Sequence, residues 1–244
     1  MIQDILVVMW KESKEVFQAS SPRGRGRLSI LILLGVLGVF LPLQLGRTMV
    51  DSGIGLFLWG WVPMLLISSV VADSFAGERE RHTLESLLAT RLSDTAILLG
   101  KLLAATLYGY LITWSLILLA LLTLNFTNAG EGLVMFSLEQ FLTIAAVALL
   151  TSVLAGSLGV LVSLRAESVR QAQQTLSLMI FVLFIPLFAL NFLPEEWQMR
   201  LFAFLTSADV TTLVALVGGF LLVLDGVLVL LAFQRFKRTR LITD

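Results

Sequence analysis

The chain has 244 residues, 57% of them hydrophobic and only 14% charged, and its 17 Lys or Arg balance 17 Asp or Glu to a formal net charge of zero. An ordinary globular chain is roughly 45–50% apolar and about 25% charged, so this composition excludes an ordinary soluble domain. Cysteine is absent, which rules out disulfides, thiol chemistry and Cys-based metal sites, and no nucleic-acid partner is expected.

The first twenty residues, MIQDILVVMWKESKEVFQAS, place Ile2, Ile5, Leu6, Met9, Val16 and Phe17 near one helical stripe, with Lys11, Glu12, Lys14 and Glu15 opposite. That predicts an amphipathic helix over 1–20, too short and polar to span, lying in the cytoplasmic interface with Trp10 at headgroup depth. Its apolar patch, Ile5 to Trp10, follows Asp4 rather than a basic region, so it is not read as a cleavable signal. The run SPRGRGR then breaks the helix and reads as a basic, flexible membrane anchor.

A membrane-crossing helix needs about 20 mostly apolar residues. Six segments qualify, at approximately 28–45, 54–73, 97–124, 138–164, 175–193 and 213–233. The predicted fold is therefore an all-α integral membrane protein, with a transmembrane domain over 28–233 and a basic tail over 234–244. Fifteen Lys or Arg residues fall on one side of this plan, and only Arg47 and Arg200 on the other. The positive-inside bias puts the fifteen, and both termini, in the cytoplasm. Outside, residues 194–212 are amphipathic through Trp197, Leu201, Phe202 and Phe204 and predict a re-entrant region. Asn125-Phe126-Thr127 matches a glycosylation acceptor, a triplet too common to carry weight.

Within the spans, Pro42, Pro63 and Pro186 mark kinks that neighbouring helices must accommodate. Span four has small residues at 152/156 and 155/159, and span six has Ala215 and Gly219 at the same spacing, which permits close helix approach. Asp225 lies near the middle of span six, where a carboxyl is costly. It reads either as a substrate or proton site or as an acid bonded to a neighbouring helix. Asp73, at the end of span two, reads as an interfacial acid.

Catalytic constellations are not found. Gly100-Lys101 lacks the earlier glycine and the following Ser or Thr of a nucleotide-binding loop. His82 is the only histidine and has no second His to share a metal.

Residues 73–101, DSFAGERERHTLESLLATRLSDTAILLGK, hold nine charged residues between two apolar runs. The charge run GERERH predicts a cytosolic extension of span two. Leu84, Leu87, Leu88 and Leu92 then line one face of a short helix, and Ser93 or Asp94 caps span three. This hairpin, 77–94, reads either as a solvated connector or as a docking surface for a soluble partner.

The segment resembles the signature of ABC-2 type transporter permeases. The resemblance is carried by Glu78-Arg79-Glu80, Thr83-Leu84-Glu85, Leu87-Leu88, Leu92-Ser93 and Gly100-Lys101, and the opening Trp10-Lys11-Glu12 is similar to the family's start. One position departs: the family commonly has Gly before the Thr, where this chain has His82, which points to a continuous helix. The resemblance implies a half-transporter for export. Two permeases pair as a homodimer or heterodimer, and two separate ATP-binding cassette subunits carry ATP and magnesium. No cofactor is expected in this chain. Carried over, Glu78, Arg79, Glu80, Thr83, Leu84, Glu85, Leu87 and Leu88 couple the ATPase to the spans. The alternatives are an ion-coupled secondary transporter using Asp225, or a membrane enzyme of unknown class.

Overall fold

With no water to satisfy N–H and C=O groups inside a bilayer, apolar segments of this length fold as helices whose backbone bonds close internally. The computed structural model describes residues 1–19, 31–51, 53–128, 130, 132–189, 192–200 and 210–236, and these are helical with no strand among them. The basic run with Arg23, Arg25 and Arg27, the outer residues Leu201, Phe202 and Phe204, and the tail from Lys237 lie outside the described residues.

In chain order the helices are α1 (Ile2–Ala19), α2 (Leu31–Leu45), α3 (Thr48–Asp51), α4 (Gly53–Glu80), α5 (Leu84–Leu88), α6 (Asp94–Thr127), α7 (Leu138–Ser163), α8 (Val169–Ala189), α9 (195–200) and α10 (Val210–Arg235). Four stretches are long and apolar enough to cross a membrane, Leu58–Glu80 of α4, all of α6 and α7, and Val214–Arg235 of α10. The predicted first span appears as the shorter apolar helix α2. The predicted fifth, 175–193, overlaps α8, which ends at Ala189 and starts earlier than expected because Arg170, Gln171, Gln173 and Gln174 continue the helix on its polar side. The chain is a multi-pass, all-α membrane protein.

Helix α4 sits at the centre, packed along α7 and also against α6 and α8, while α1 lies along α6 and α10 along α7. One core gathers Ile67, Val71 and Phe75 of α4 with Ile97, Leu98 and Leu102 of α6 and Leu154 and Val160 of α7. Inside a bilayer such contacts gain little from water exclusion, so close packing has to hold the helices. The small residues of α7 supply it. A Cβ at Gly159 would lie 2.6 Å from Val71 Cγ1, and one at Gly156 would lie 2.8 Å from Leu102 Cδ1. Ala215 and Gly219 of α10 do not act this way, since both are exposed and nothing approaches Gly219.

The kink at Pro42 finds a partner as well. Pro42 has no N–H for the carbonyl four residues back, and the Thr123 hydroxyl of α6 donates to that Gly38 oxygen at 3.0 Å. The same stretch, Leu34–Phe40, winds as a π-helix. At this end Asn125 pins the following loop, accepting from Val134 N at 2.8 Å and donating to Val134 O at 2.9 Å. Its amide is therefore engaged inside the protein.

Candidate functional site

The other end of the bundle collects the termini of α4, α6, α7 and α8, with α1 lying along α6. Gly100 makes the closest approach possible, because a Cβ there would meet Val8 Cβ at 2.5 Å and the Ile5 carbonyl at 3.2 Å. With α1 this near, Lys101 is covered by the turn that follows Val8 and meets Glu12, one helical turn further along the same face. Its ammonium donates to Glu12 Oε1, to Glu78 Oε1 and to the Ser74 carbonyl, each at 2.9 Å. All three protons are used. The Phe75 ring lies 5.1 Å from the ammonium.

The network is buried: the side chains of Lys101, Glu78 and Glu12 are 1%, 7% and 10% exposed. Taking such charges out of water costs several kcal/mol per ion in practice, which only close pairing with further hydrogen bonds offsets. Lys11 adds a second cation, 3.4 Å from Glu12 and 3.7 Å from Glu78, and also pairs with Glu15 at 3.2 Å. Burial alone would lower the Lys11 pKa, but the carboxylates of Glu12, Glu15 and Glu78 outweigh it and raise the value above 10.5. Its contribution to stability is thus complete below pH 10.5 and disappears only at higher pH. Glu78 Oε2 has no partner among the described residues.

Glu78, Arg79 and Glu80 together tie α4 to its neighbours. Glu78 reaches α6 and, through Lys101, α1. Arg79 donates to the carbonyls of Ala166 at 2.6 Å and Leu164 at 3.0 Å, capping the end of α7 with a charge that suits a helix C-terminus. Glu80 accepts from Val169 N at 3.3 Å, an anion at the start of α8. One turn earlier, the Ser163 hydroxyl accepts from Phe75 N and Ala76 N at 3.1 and 2.9 Å and donates to Ala72 O at 3.1 Å.

Helix α4 ends at Glu80 and does not continue through His82, in contrast to the sequence expectation. Arg81 and His82 turn the chain, with His82 at φ 56° in the left-handed region. His82 N donates to Arg79 O at 3.0 Å and Thr83 N to Glu78 O at 2.8 Å, the paired bonds of a Schellman stop, for which Gly is the usual residue at the left-handed position. The Thr83 hydroxyl adds a bond to Glu78 O at 3.2 Å. His82 thus occupies the glycine conformation without being glycine.

Where it is described, the leucine stripe faces the bundle, and the Leu88 side chain lies outside the described residues. Leu84 is 7% exposed, and Leu87 and Leu92 pack on the same core as Phe75. They anchor the hairpin to its own bundle, leaving Glu85, Ser86, Ala89, Thr90 and Arg91 exposed. Ser93 caps α6, accepting from Ala96 N at 3.2 Å. Asp73 pairs with Arg81 at 3.2 Å on the surface, as an interfacial acid does.

Asp225 stands apart from this corner. It is 5% exposed on α10, and neither carboxyl oxygen has a partner among the described residues. Leu221, Leu224 and Leu228 beside it pack on a core that includes Leu102, Ala105, Leu154 and Ala155.

The residues that converge here, Glu12, Glu78, Arg79, Glu80, Thr83 and Lys101, are those through which the sequence resembled a permease family. The ABC-2 type transporter profile matches residues 3–206. The chain belongs to the ABC-2 type transporter family. It is also similar to the ABC transporter permease protein NatB of Bacillus subtilis (strain 168), 31% identical over 138 residues that cover 52% of this chain and 36% of that protein. The chain therefore matches little more than a third of that relative's length.

The pairing of Glu12 with Lys101 is not expected from the sequence alone. Its one signal is a lysine inside the apolar run of span three, since a buried cation requires a partner.

Proposed function

We propose that this chain is the permease subunit of an ATP-driven ABC exporter, docked through its α1–α5 corner on a separate ATP-binding cassette subunit. In this reading it works as one of two permease copies, in the cell membrane, with both termini cytoplasmic. ATP and magnesium are held by the partner. The observation that carries the proposal is the convergence of Glu12, Glu78 and Lys101 into one buried network.

That network gives the corner a mechanical property. A force on α1 or on the 81–92 hairpin reaches α4 and α6 through bonds between buried charges, and reaches α7 and α8 through Arg79 and Glu80. A partner whose own arrangement depends on ATP then biases the arrangement of the spans by the difference in its docking energy between the two states. Leu84 and Leu87 pack on the bundle, so the docking face is assigned to Glu85, Ser86, Ala89, Thr90 and Arg91. Such a polar face sets register and partner choice more than raw affinity.

The test is co-purification in mild detergent. A tagged chain is expected to bring down a soluble protein carrying GxxxxGK[ST], and Glu85→Arg with Arg91→Glu is expected to lose it. A chain that never captures such a protein would refute the proposal.

A further inference from the structure

A pocket of about 310 Å³ opens where the end of α7 meets the start of α8 and the end of α10. Arg165 and Arg235 lie on its rim, Gln171 and Thr175 add an amide and a hydroxyl, and Leu161 and Leu231 form part of an apolar floor. No acidic side chain lines it among the described residues. Neither guanidinium has a hydrogen-bond or ion-pair partner among the described residues, although the neighbouring Arg79 donates to two backbone carbonyls. Two arginines without a partner among the described residues, beside neutral donors, form a site for a phosphate-type anion, since guanidinium groups bind such oxygens through two parallel bonds.

The surroundings favour a particular carrier of that anion. Away from the pocket, α8 exposes Leu178, Phe181 and Val182, and α10 exposes Val223, Val227 and Leu230. These faces extend towards the middle of the bilayer from the arginines, so one molecule would need a charged head and apolar tails to cover both. A basic pocket between membrane helices at the cytoplasmic face has the chemistry of an anionic lipid headgroup site.

We propose that Arg165 and Arg235 hold the phosphate of an anionic phospholipid, with its acyl chains lying on α8 and α10. The site ties α7, α8 and α10 together at the end where Arg79 and Glu80 already bind α7 and α8. Lipid occupancy thereby adjoins the corner at Ala166, which lines the pocket and whose carbonyl accepts from Arg79.

The test is native mass spectrometry of the purified full chain, titrated with phosphatidylglycerol, phosphatidylcholine or glycerol phosphate. Phosphatidylglycerol is expected to bind and the zwitterionic lipid not. At about 1 kcal/mol per basic residue near a lipid surface, Arg235→Gln should weaken phosphatidylglycerol about fivefold, and Arg165→Gln with Arg235→Gln about thirtyfold. Replacing both by Lys should retain more binding than replacing both by Gln. Equal binding of phosphatidylcholine, or an unchanged affinity in the single and double Gln variants, would overturn the site. Glycerol phosphate binding as tightly as the lipid would overturn the lipid assignment. The assay uses neither an ATPase nor transport, so its failure would leave the permease proposal standing.

Discussion

Lys101 and Glu12 are 89 residues apart in the chain, yet the Lys101 ammonium donates to the Glu12 carboxylate at 2.9 Å in a site closed to solvent. Glu78 meets the same ammonium from a third helix at 2.9 Å. The N-terminal helix is thereby held to the two helices that flank the hairpin.

Removing the cation should be costly. Lys101→Met leaves the buried carboxylates of Glu12 and Glu78 with only the half-exposed Lys11 as a cation, and losing one member of a buried pair typically costs about 3–5 kcal/mol. Thermal unfolding in detergent should show a large fall in melting temperature. Replacing Glu12, Glu78 and Lys101 together by Met should recover most of that loss, because no uncompensated charge remains. A triple variant no more stable than Lys101→Met alone would show that the network is not the source of the stability.

At His82 the expected change has the opposite sign. An L-residue in the left-handed region costs roughly 1–2 kcal/mol, and part of this returns when Gly takes the position. His82→Gly should therefore raise the melting temperature by an amount equivalent to about 1 kcal/mol or less, and His82→Val should lower it. If His82→Gly is destabilising, the imidazole makes a contact that outweighs the backbone strain.

The hairpin separates stability from association. Leu84→Asp buries a carboxylate in the core beside Phe75 and should destabilise the protein by several kcal/mol. Glu85→Arg lies on the exposed side and should leave the melting temperature within about 0.5 kcal/mol of the parent while weakening ATPase capture. If Leu84→Asp melts like the parent, the leucine stripe is not internal.

Asp225 is kept at a cost, since burying a polar group without a partner is worth about 1–3 kcal/mol in protein variants. Asp225→Leu is expected to melt higher than the parent and to lose transport, the exchange typical of a group retained for activity. A lower melting temperature would mean that the carboxyl has a structural partner, and full transport would remove its functional role.

Much of this fold was legible because a bilayer leaves few choices. Long apolar runs must be helices, and α6 and α7 cover the predicted third and fourth spans, with α6 extended by about one turn at either end to Asp94–Thr127. Local chemistry was legible as well: the Ser93 cap and the close packing at Gly156 and Gly159 both follow from residue type and spacing. The facing of α5 was not. A period of three to four leucines gives an apolar side but not what covers it, and here the bundle itself covers Leu84 and Leu87. His82 misled for a related reason. Propensity favours a right-handed residue, while the Schellman bonds and the burial of Leu84 fix the turn regardless. The pairing of Lys101 with Glu12 depends on α1 folding back across Gly100, a long-range relation that no local pattern encodes.

The absence of cysteine makes the central claim directly measurable. Ser86→Cys would give the chain one thiol on the exposed side of α5, and Phe126→Cys would give one at the opposite end, where Phe126 is 83% exposed. Each would carry a thiol-linked photoreactive probe in membranes from cells expressing the tagged chain. The account predicts that position 86 cross-links to a soluble subunit carrying GxxxxGK[ST] and that position 126 does not. A cross-link to that subunit from position 126, or none from position 86, would contradict it.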